Sequence, residues 1–221
     1  NLRHPNTVAV LDFGQTQDGL LYLVMEVLEG EMLSTRLRRD GPLPVAEALR
    51  VTTGILRSLG EAHRAGIVHR DLKPDNIFLA RVDAHPDGEQ LVKVVDFGVA
   101  KIRPGGGDAP IDPVATQEGT VFGTPRYMSP EQAQGRTLDG RSDLYAVGVM
   151  LFQMLTGAVP FGEDDAVVVM AHHITTAPPR VLDVAPESGV HPALDELVAR
   201  ALKKRPGDRP ESAEAFLRAI E

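Results

Sequence analysis

The segment SDLYAVGVMLFQML, Ser142 to Leu155, is apolar around almost its whole circumference when wound as a helix. A helix without a polar face must be enclosed by other elements on every side. A chain that carries it has to place that helix at the centre of its core. The run does not read as a membrane span: Gln153, Gly157 and Pro160 interrupt it, and a span needs roughly 18 apolar residues. With 221 residues and 43% hydrophobic content, the chain has enough material for one large domain or two small lobes around such a helix.

The remainder sorts into a little sheet and more helix. Val8–Phe13 and Leu20–Glu26 are short apolar runs joined by GQTQDG, which predicts a β-hairpin in which Phe13 packs. Val45, Ala48, Leu49, Thr52, Ile55, Leu56, Leu59 and Ala62 recur at three- and four-residue steps, predicting a long amphipathic helix that stops near Gly66. Ile67–Val68, Ile77–Leu79 and Leu91–Val95 read as small strands supporting loops. Lys101 to Pro113, KIRPGGGDAPIDP, reads as a mobile loop. Asp164–His173, Pro192–Leu202 and Ser212–Ile220 are further helix candidates between Pro-rich breaks. There is no internal repeat, and the fold class expected is α+β: a scrap of sheet followed by a mainly helical body.

Composition narrows the function. A net charge of -8, from 31 acidic and 23 basic residues, argues against nucleic acid as a partner. The dense basic run Lys203-Lys204-Arg205 reads as a solvated helix end. Cysteine is absent, which removes disulfides, thiolate catalysis and Cys-ligated zinc and fits a reducing, cytoplasmic setting. No membrane segment and no signal peptide are visible, and the chain opens on Asn1 rather than Met.

The triplet Asp-Phe-Gly occurs twice, at Asp12–Gly14 and at Asp96–Gly98. What separates the two is the stretch GIVHRDLKPDNIFLA. Asp71, Lys73 and Asn76 fall in one short loop between apolar segments, able to turn an acceptor, a cation and an amide toward one place. Phosphoryl transfer needs a carboxylate for the nucleophile's proton, cations on phosphate oxygens, and oxygen ligands for Mg²⁺. Asp96 lies twenty residues beyond Asn76 at the end of the strand VKVV and supplies a second carboxylate. Only the second triplet follows such a loop; the first reads as a strand end.

With these residues in hand, the chain resembles the protein kinase family, and within it the eukaryotic-like Ser/Thr kinases of bacteria. His69 to Asn76 match His-Arg-Asp-Leu-Lys-Pro-x-Asn and Asp96–Gly98 match Asp-Phe-Gly, motifs for which this family is the general template. GTPRYMSPEQ (Gly123–Gln132) is similar to the P+1 loop and Ala-Pro-Glu element, with Ser129 in place of Ala. SDLYAVGVMLFQMLTGAVPF, which includes Asp143, is similar to the central F helix, and KKRPGDRP to the segment whose arginine, Arg209, pairs with Glu131. The resemblance implies a mainly helical C-lobe plus the last strands and hinge of an N-lobe, with residues 1–26 an N-lobe remnant and 27–221 the hinge and C-lobe. It also implies roles. Asp71 is the catalytic base, Lys73 meets the γ-phosphate, and Asn76 and Asp96 hold Mg²⁺, with Mn²⁺ as the alternative metal. Thr124 shapes the Ser/Thr acceptor site. Met25 is the gatekeeper, Glu26 and Leu28 meet adenine through their backbone, and Phe78 lies beneath the ring. His69, Phe97 and Val10 stack in a spine. Arg70 reads a phosphorylated loop in which Thr116 and Thr120 are the candidate phosphosites. Glu118, where relatives often carry a second Thr, lowers the dependence on phosphate through its fixed carboxylate.

The resemblance also implies elements that precede Asn1 in the family and are not in this chain: a Gly-rich loop, a strand lysine and a helix C glutamate. Lys93 sits on the strand before Asp96 and does not stand in for that lysine. The chain therefore reads as the later part of an intact kinase acting on protein Ser/Thr hydroxyls, with self-association for trans-autophosphorylation. By itself it is expected to transfer phosphate poorly, because positioning dominates this chemistry, and to aggregate through an exposed lobe interface. Two alternatives are a non-catalytic, kinase-like binding module and a small-molecule phosphotransferase of related fold. Retention of Asp71 and Asp96 weighs against the first, and the long segment before GTPRYMSPE against the second. The parent protein is open to a membrane anchor outside these residues.

Overall fold

The computed structural model describes residues 2–81, 90–97 and 125–221. Strands β1 (Val10–Gln15) and β2 (Leu21–Met25) pair antiparallel, with a register slip between Val10 and Asp12. Thr16 organises their turn: its Oγ1 accepts from the Leu20 N–H at 3.0 Å. The expected hairpin is present, but Phe13 does not pack and is 77% exposed. A two-stranded ribbon turns alternate side chains to two faces and by itself shelters neither, so every β1 residue except Gly14 is exposed.

A second antiparallel sheet follows, in the order β3 (Gly30–Met32), β4 (Ile77–Arg81), β5 (Gln90–Val94). β3 and helix α1 (Leu33–Asp40) lie in a stretch to which the sequence reading assigns no element. Its periodic signal is thin, yet Leu33 is wholly buried, so tertiary packing rather than pattern creates the helix. Helix α2 (Val45–Arg64) buries most of the anticipated stripe: Ala48, Thr52, Ile55, Leu56, Leu59 and Ala62 are inside, Val45 and Leu49 are part-buried, and Val51, outside that stripe, is buried as well. It lies close on β5: a Cβ on Gly54 would sit 2.6 Å from that of Val92. Gly66 ends it at φ 73°, with the Ile67 N–H on the Ala62 carbonyl (2.9 Å) and the Gly66 N–H on the His63 carbonyl (3.0 Å). This is the six-to-one closure that glycine permits at a helix end. It explains why Ile67–Val68 form no strand: the Ile67 N–H is already used by the helix.

The helical body continues with α3 (Pro130–Ala133), α4 (Gly140–Thr156), α5 (Ala166–Thr175), α6 (Val181–Val184), α7 (Pro192–Ala201) and α8 (Ala213–Ile220). α4 is the central helix demanded by its composition: Ser142 to Leu155 are buried except Gln153, whose Oε1 accepts from Tyr127 Oη at 2.7 Å. The one residue of the run that is not buried thus makes a contact with the segment before α3. The core joins α2, α4, α7 and α8 to β4 and β5 in one cluster.

The residues ahead of β1 are tied into this body. The Val94 N–H donates to the Asn6 carbonyl (2.8 Å) and the Val8 N–H to the Val94 carbonyl (3.0 Å). Asn6 Nδ2 reaches the Val92 carbonyl (2.7 Å), and the Glu61 carboxylate caps the N–H groups of Arg3 and His4 at 3.0 Å each. The ribbon is thus hung from β5 and α2. No helix among the described residues is long and apolar enough to cross a membrane.

Candidate active site

The loop between α2 and β4 is built on its backbone. Asp143, 1% exposed near the start of α4, accepts from the His69 N–H (2.9 Å), the Arg70 N–H (2.9 Å) and His63 Nε2 (2.8 Å). Arg70 is thereby held at φ 69°, a left-handed conformation costing a non-glycine residue about 1–3 kcal/mol and kept only where the surroundings enforce it. The Gln132 amide, Nε2 to the Arg70 carbonyl at 2.6 Å, secures the other side of the residue. His69 is fully buried; its Nε2 lies 3.0 Å from the Val95 carbonyl and its Nδ1 3.4 Å from the Asp71 N–H. A carbonyl only accepts and an N–H only donates, so Nε2 carries the proton.

These constraints leave the Asp71 side chain free to face solvent. It is 63% exposed, and Lys73 Nζ lies 2.9 Å from its Oδ2. Asn76 is buried, and its Nδ2 donates to the Asp71 carbonyl at 2.7 Å. The amide nitrogen being so used, Asn76 Oδ1 is the atom left to act as a ligand. Asn76 also accepts the Val95 N–H on its carbonyl (3.0 Å), which sets Asp96 beside it. Asp96 is exposed and has φ 58°. Arg70 and Asp96 are the only non-glycine residues of positive φ among the described residues; both flank the same place. Phe97 meets the His69 ring at 4.9 Å between centroids. Val10 is not part of that stack as the sequence suggested: it lies 46% exposed on β1, opposite Met25, because its strand stands apart from the buried core.

No group of three or more His, Asp or Glu among the described residues forms a metal cage. One amide oxygen and one carboxylate are, however, the donors a small hard cation uses when phosphate and water complete its shell. The residues therefore fit a divalent cation held jointly with a nucleotide, and do not fit an all-protein metal site.

On the other side of β5, Glu26 and Lys93 form a contact that the sequence did not reveal. Lys93 Nζ lies 2.6 Å from Glu26 Oε1, which also accepts the Ala9 N–H at 2.8 Å. Burial opposes ionisation of Glu26, yet the Lys93 and Ala9 hydrogen bonds hold its carboxyl below the usual range. Lys93 thus joins β5 to the segment leaving β2. In that segment the Glu26 carbonyl and the Leu28 N–H have no partner among the described residues. Met25 is half-exposed at the end of β2, and Phe78 is partly buried on β4, paired with Met32 and Lys93. Lys93→Met is expected to lower stability by about 1.5–3 kcal/mol, the range for a charge-assisted hydrogen bond. Amide exchange at Ala9 and Glu26 should accelerate with it; unchanged exchange would show that the ion pair does not hold the ribbon.

The segment from Pro125 to Gln134 closes the site from the helical side. A 3-10 turn, Pro125–Tyr127, leads into α3, whose N-cap Ser129 exchanges hydrogen bonds with Gln132: Oγ accepts from the Gln132 N–H (3.3 Å) and the Ser129 N–H donates to Gln132 Oε1 (3.0 Å). Glu131 is paired twice with Arg209, at 2.7 and 2.8 Å, and accepts from Ser142 Oγ at 2.6 Å. Burial resists its ionisation, but these bonds keep its carboxyl below the ordinary value. Thr116, Glu118, Thr120, Thr124 and Gly98, and the loop from Lys101 to Pro113, lie outside the described residues. Besides Lys93, the residues that sequence reasoning did not single out are His63, Gln132 and Ser142; each is recognisable only by what it touches.

A hinge-like strand end, a loop bearing Asp71, Lys73 and Asn76, a strand end bearing Asp96 and a helical body centred on α4 together make a protein-kinase fold. The chain belongs to the protein kinase family: the model of the protein kinase domain matches residues 1–219. It is 48% identical over 215 residues to serine/threonine-protein kinase pkn3 of Myxococcus xanthus, an alignment covering 97% of this chain and 38% of that protein. It is 43% identical to serine/threonine-protein kinase PksC of Streptomyces coelicolor, covering 97% of this chain and 37% of the relative. The chain thus spans well under half the length of these relatives. Among solved structures it is similar to the PknI kinase domain of Mycobacterium tuberculosis, with a TM-score of 0.71 at 27% identity over 99% of this chain and 72% of that one.

Proposed function

We propose that this chain is the later part of a serine/threonine protein kinase domain, residues 1–26 belonging to the small lobe and 27–221 to the hinge and large lobe. It transfers the γ-phosphoryl group of ATP to protein Ser and Thr hydroxyls. The observation that carries the reading is the Asp71 loop. Its backbone is fixed by Asp143, His69, Asn76 and Gln132, while the Asp71 carboxylate and the Lys73 ammonium stay together and exposed. A rigid frame with an exposed carboxylate suits a group that must meet an incoming hydroxyl.

In this reading Asp71 orients the acceptor hydroxyl and takes its proton as the oxygen attacks the γ-phosphorus and the bond to the bridging oxygen breaks, releasing ADP. Lys73 balances negative charge on the transferring group. Asn76 Oδ1 and Asp96 would hold Mg²⁺, which when bound supplies charge neutralisation on the phosphates. The free backbone groups of Glu26 and Leu28 suit the edge of adenine, with Met25 behind it and Phe78 beneath. Thr124 shapes the acceptor site, and Arg70 pairs with phosphate on Thr116 or Thr120, with Glu118 as a partial substitute. Activity in the cytoplasm, where ATP is available, and self-association for trans-phosphorylation belong to the same proposal.

The test is to give the full-length protein γ-labelled ATP and Mg²⁺ and to identify the phosphorylated residues. Phosphoserine and phosphothreonine, with label on Thr116 or Thr120, are expected. Label found only on inorganic phosphate or a small molecule would overturn the reading.

A further inference from the structure

We propose that His173 is a positioning residue for the acceptor side of this site: its Nε2–H donates to the Arg126 carbonyl and so fixes the segment that borders the catalytic loop. The proposal rests on the kinase reading above and extends it to how the protein acceptor is held.

His173 lies on α5 and is fully buried. Its ring is wedged edge-on between Tyr145 of α4, at 5.6 Å and 69°, and Phe161, at 5.1 Å and 86°. Nε2 lies 3.1 Å from the Arg126 carbonyl and Nδ1 2.8 Å from Tyr145 Oη. The carbonyl only accepts, so Nε2 carries the hydrogen; Nδ1 is then bare and takes the Tyr145 hydroxyl proton. Both ring nitrogens are satisfied in one tautomer. Apolar packing alone would be served equally by phenylalanine, so the use of both nitrogens points to a purpose in the contact with Arg126. Burial, and Lys204 nearby, push the imidazole down to about 4, so it is neutral at ordinary pH. Lys204 is itself fixed, its Nζ 4.8 Å above the Phe161 ring and 3.1 Å from the His172 carbonyl.

What Arg126 belongs to gives the contact its consequence. The same segment is held at Tyr127 by Gln153 and reaches the catalytic loop through Gln132 on the Arg70 carbonyl, next to Asp71. His173 is the anchor that ties it to α5. An acceptor hydroxyl must come within hydrogen-bond reach of Asp71, and a shift of the bordering segment moves the surface against which the acceptor lies. The nucleotide site proposed above, at the end of β2 and over Phe78 of β4, lies on other elements than that surface.

The experiment uses the full-length protein with dephosphorylated casein as acceptor, and three variants. His173→Phe keeps the ring and loses both nitrogens. His173→Asn keeps a polar atom toward Tyr145 but falls short of Arg126. His173→Gln can still extend an N–H to Arg126. Phe and Asn are expected to raise the casein KM about three- to tenfold, the size of one buried neutral hydrogen bond. The ATP KM should stay within about twofold, and Gln should recover most of the loss. An unchanged casein KM in Phe and Asn, a parallel change in ATP KM, or a Gln variant no better than Phe would overturn the assignment while leaving the kinase reading intact. Wild-type protein that transfers no phosphate at all would overturn that reading and this assignment with it.

Discussion

Asp71→Asn is expected to keep its fold and its ATP affinity while losing about 10²- to 10⁴-fold in phosphoryl transfer, the usual contribution of a positioned proton acceptor. Asparagine has the shape of aspartate but cannot take a proton from the hydroxyl. The loop around it does not rely on the carboxylate. The Asp71 N–H meets His69, its carbonyl meets Asn76, and its neighbour Arg70 is held by Asp143 and Gln132. The lost contact with Lys73 is an exposed ion pair, worth about 0–1 kcal/mol. Single-turnover transfer from labelled ATP, beside a thermal melt of both proteins, separates the two effects. A variant within tenfold of wild type would remove Asp71 from the chemistry. A variant that melts early would show that the carboxylate holds the loop together.

The second large effect is on stability. Arg209 is 2% exposed and each of its five N–H groups has an acceptor. Nε donates to the Lys203 carbonyl, one terminal nitrogen to Glu131 and the Arg141 carbonyl, and the other to Glu131 and the Lys204 carbonyl. Arg209→Met leaves Glu131 buried with Ser142 as its remaining side-chain partner and strips three carbonyls of a donor. Removing one member of such a pair costs about 3–5 kcal/mol, which urea titration will register as a lower midpoint. Arg209→Lys should recover only part, because an ammonium cannot fork across a carboxylate and three carbonyls at once. Combining Arg209→Met with Glu131→Met should cost less than the sum of the two singles, since no charge is then left buried and unpaired. Strict additivity would mean that the two residues do not act as a pair. The pH dependence has a definite sign. The Glu131 pKa is lowered on folding, so its contribution is present above the unfolded carboxyl value of about 4.3 and is lost as pH falls through the folded one.

Much of the molecule was legible because its signals are local. The α2 stripe repeats at helical spacing, α4 has no polar face, and Asp71, Lys73 and Asn76 share one loop. The Glu131–Arg209 contact came from the family resemblance rather than from any local pattern. Other parts were misread or missed. Phe13 was expected to pack, but burial depends on what lies over a strand. Ile67–Val68 looked like a strand, but the glycine turn before them had already used the Ile67 N–H. β3 and α1 went unassigned, because Leu33 has too few apolar companions in sequence for a helix to be inferred.

The candidate site divides the same way. Which residue types could supply a carboxylate, a cation and metal-binding oxygens is written in HRDLKPDN and VVDFG, since side-chain chemistry and short spacing are both local to the sequence. Sequence also determined that a helix must run through the centre, because an all-apolar helix has no other stable place in water. The choice of Lys93 as partner for Glu26, of His63 and two backbone N–H groups for Asp143, of Gln132 for the Arg70 carbonyl and of His173 for Arg126 was decided only by the tertiary fold. Each joins positions far apart in the chain, and a hydrogen bond depends on distance and direction in space, neither of which a linear pattern records.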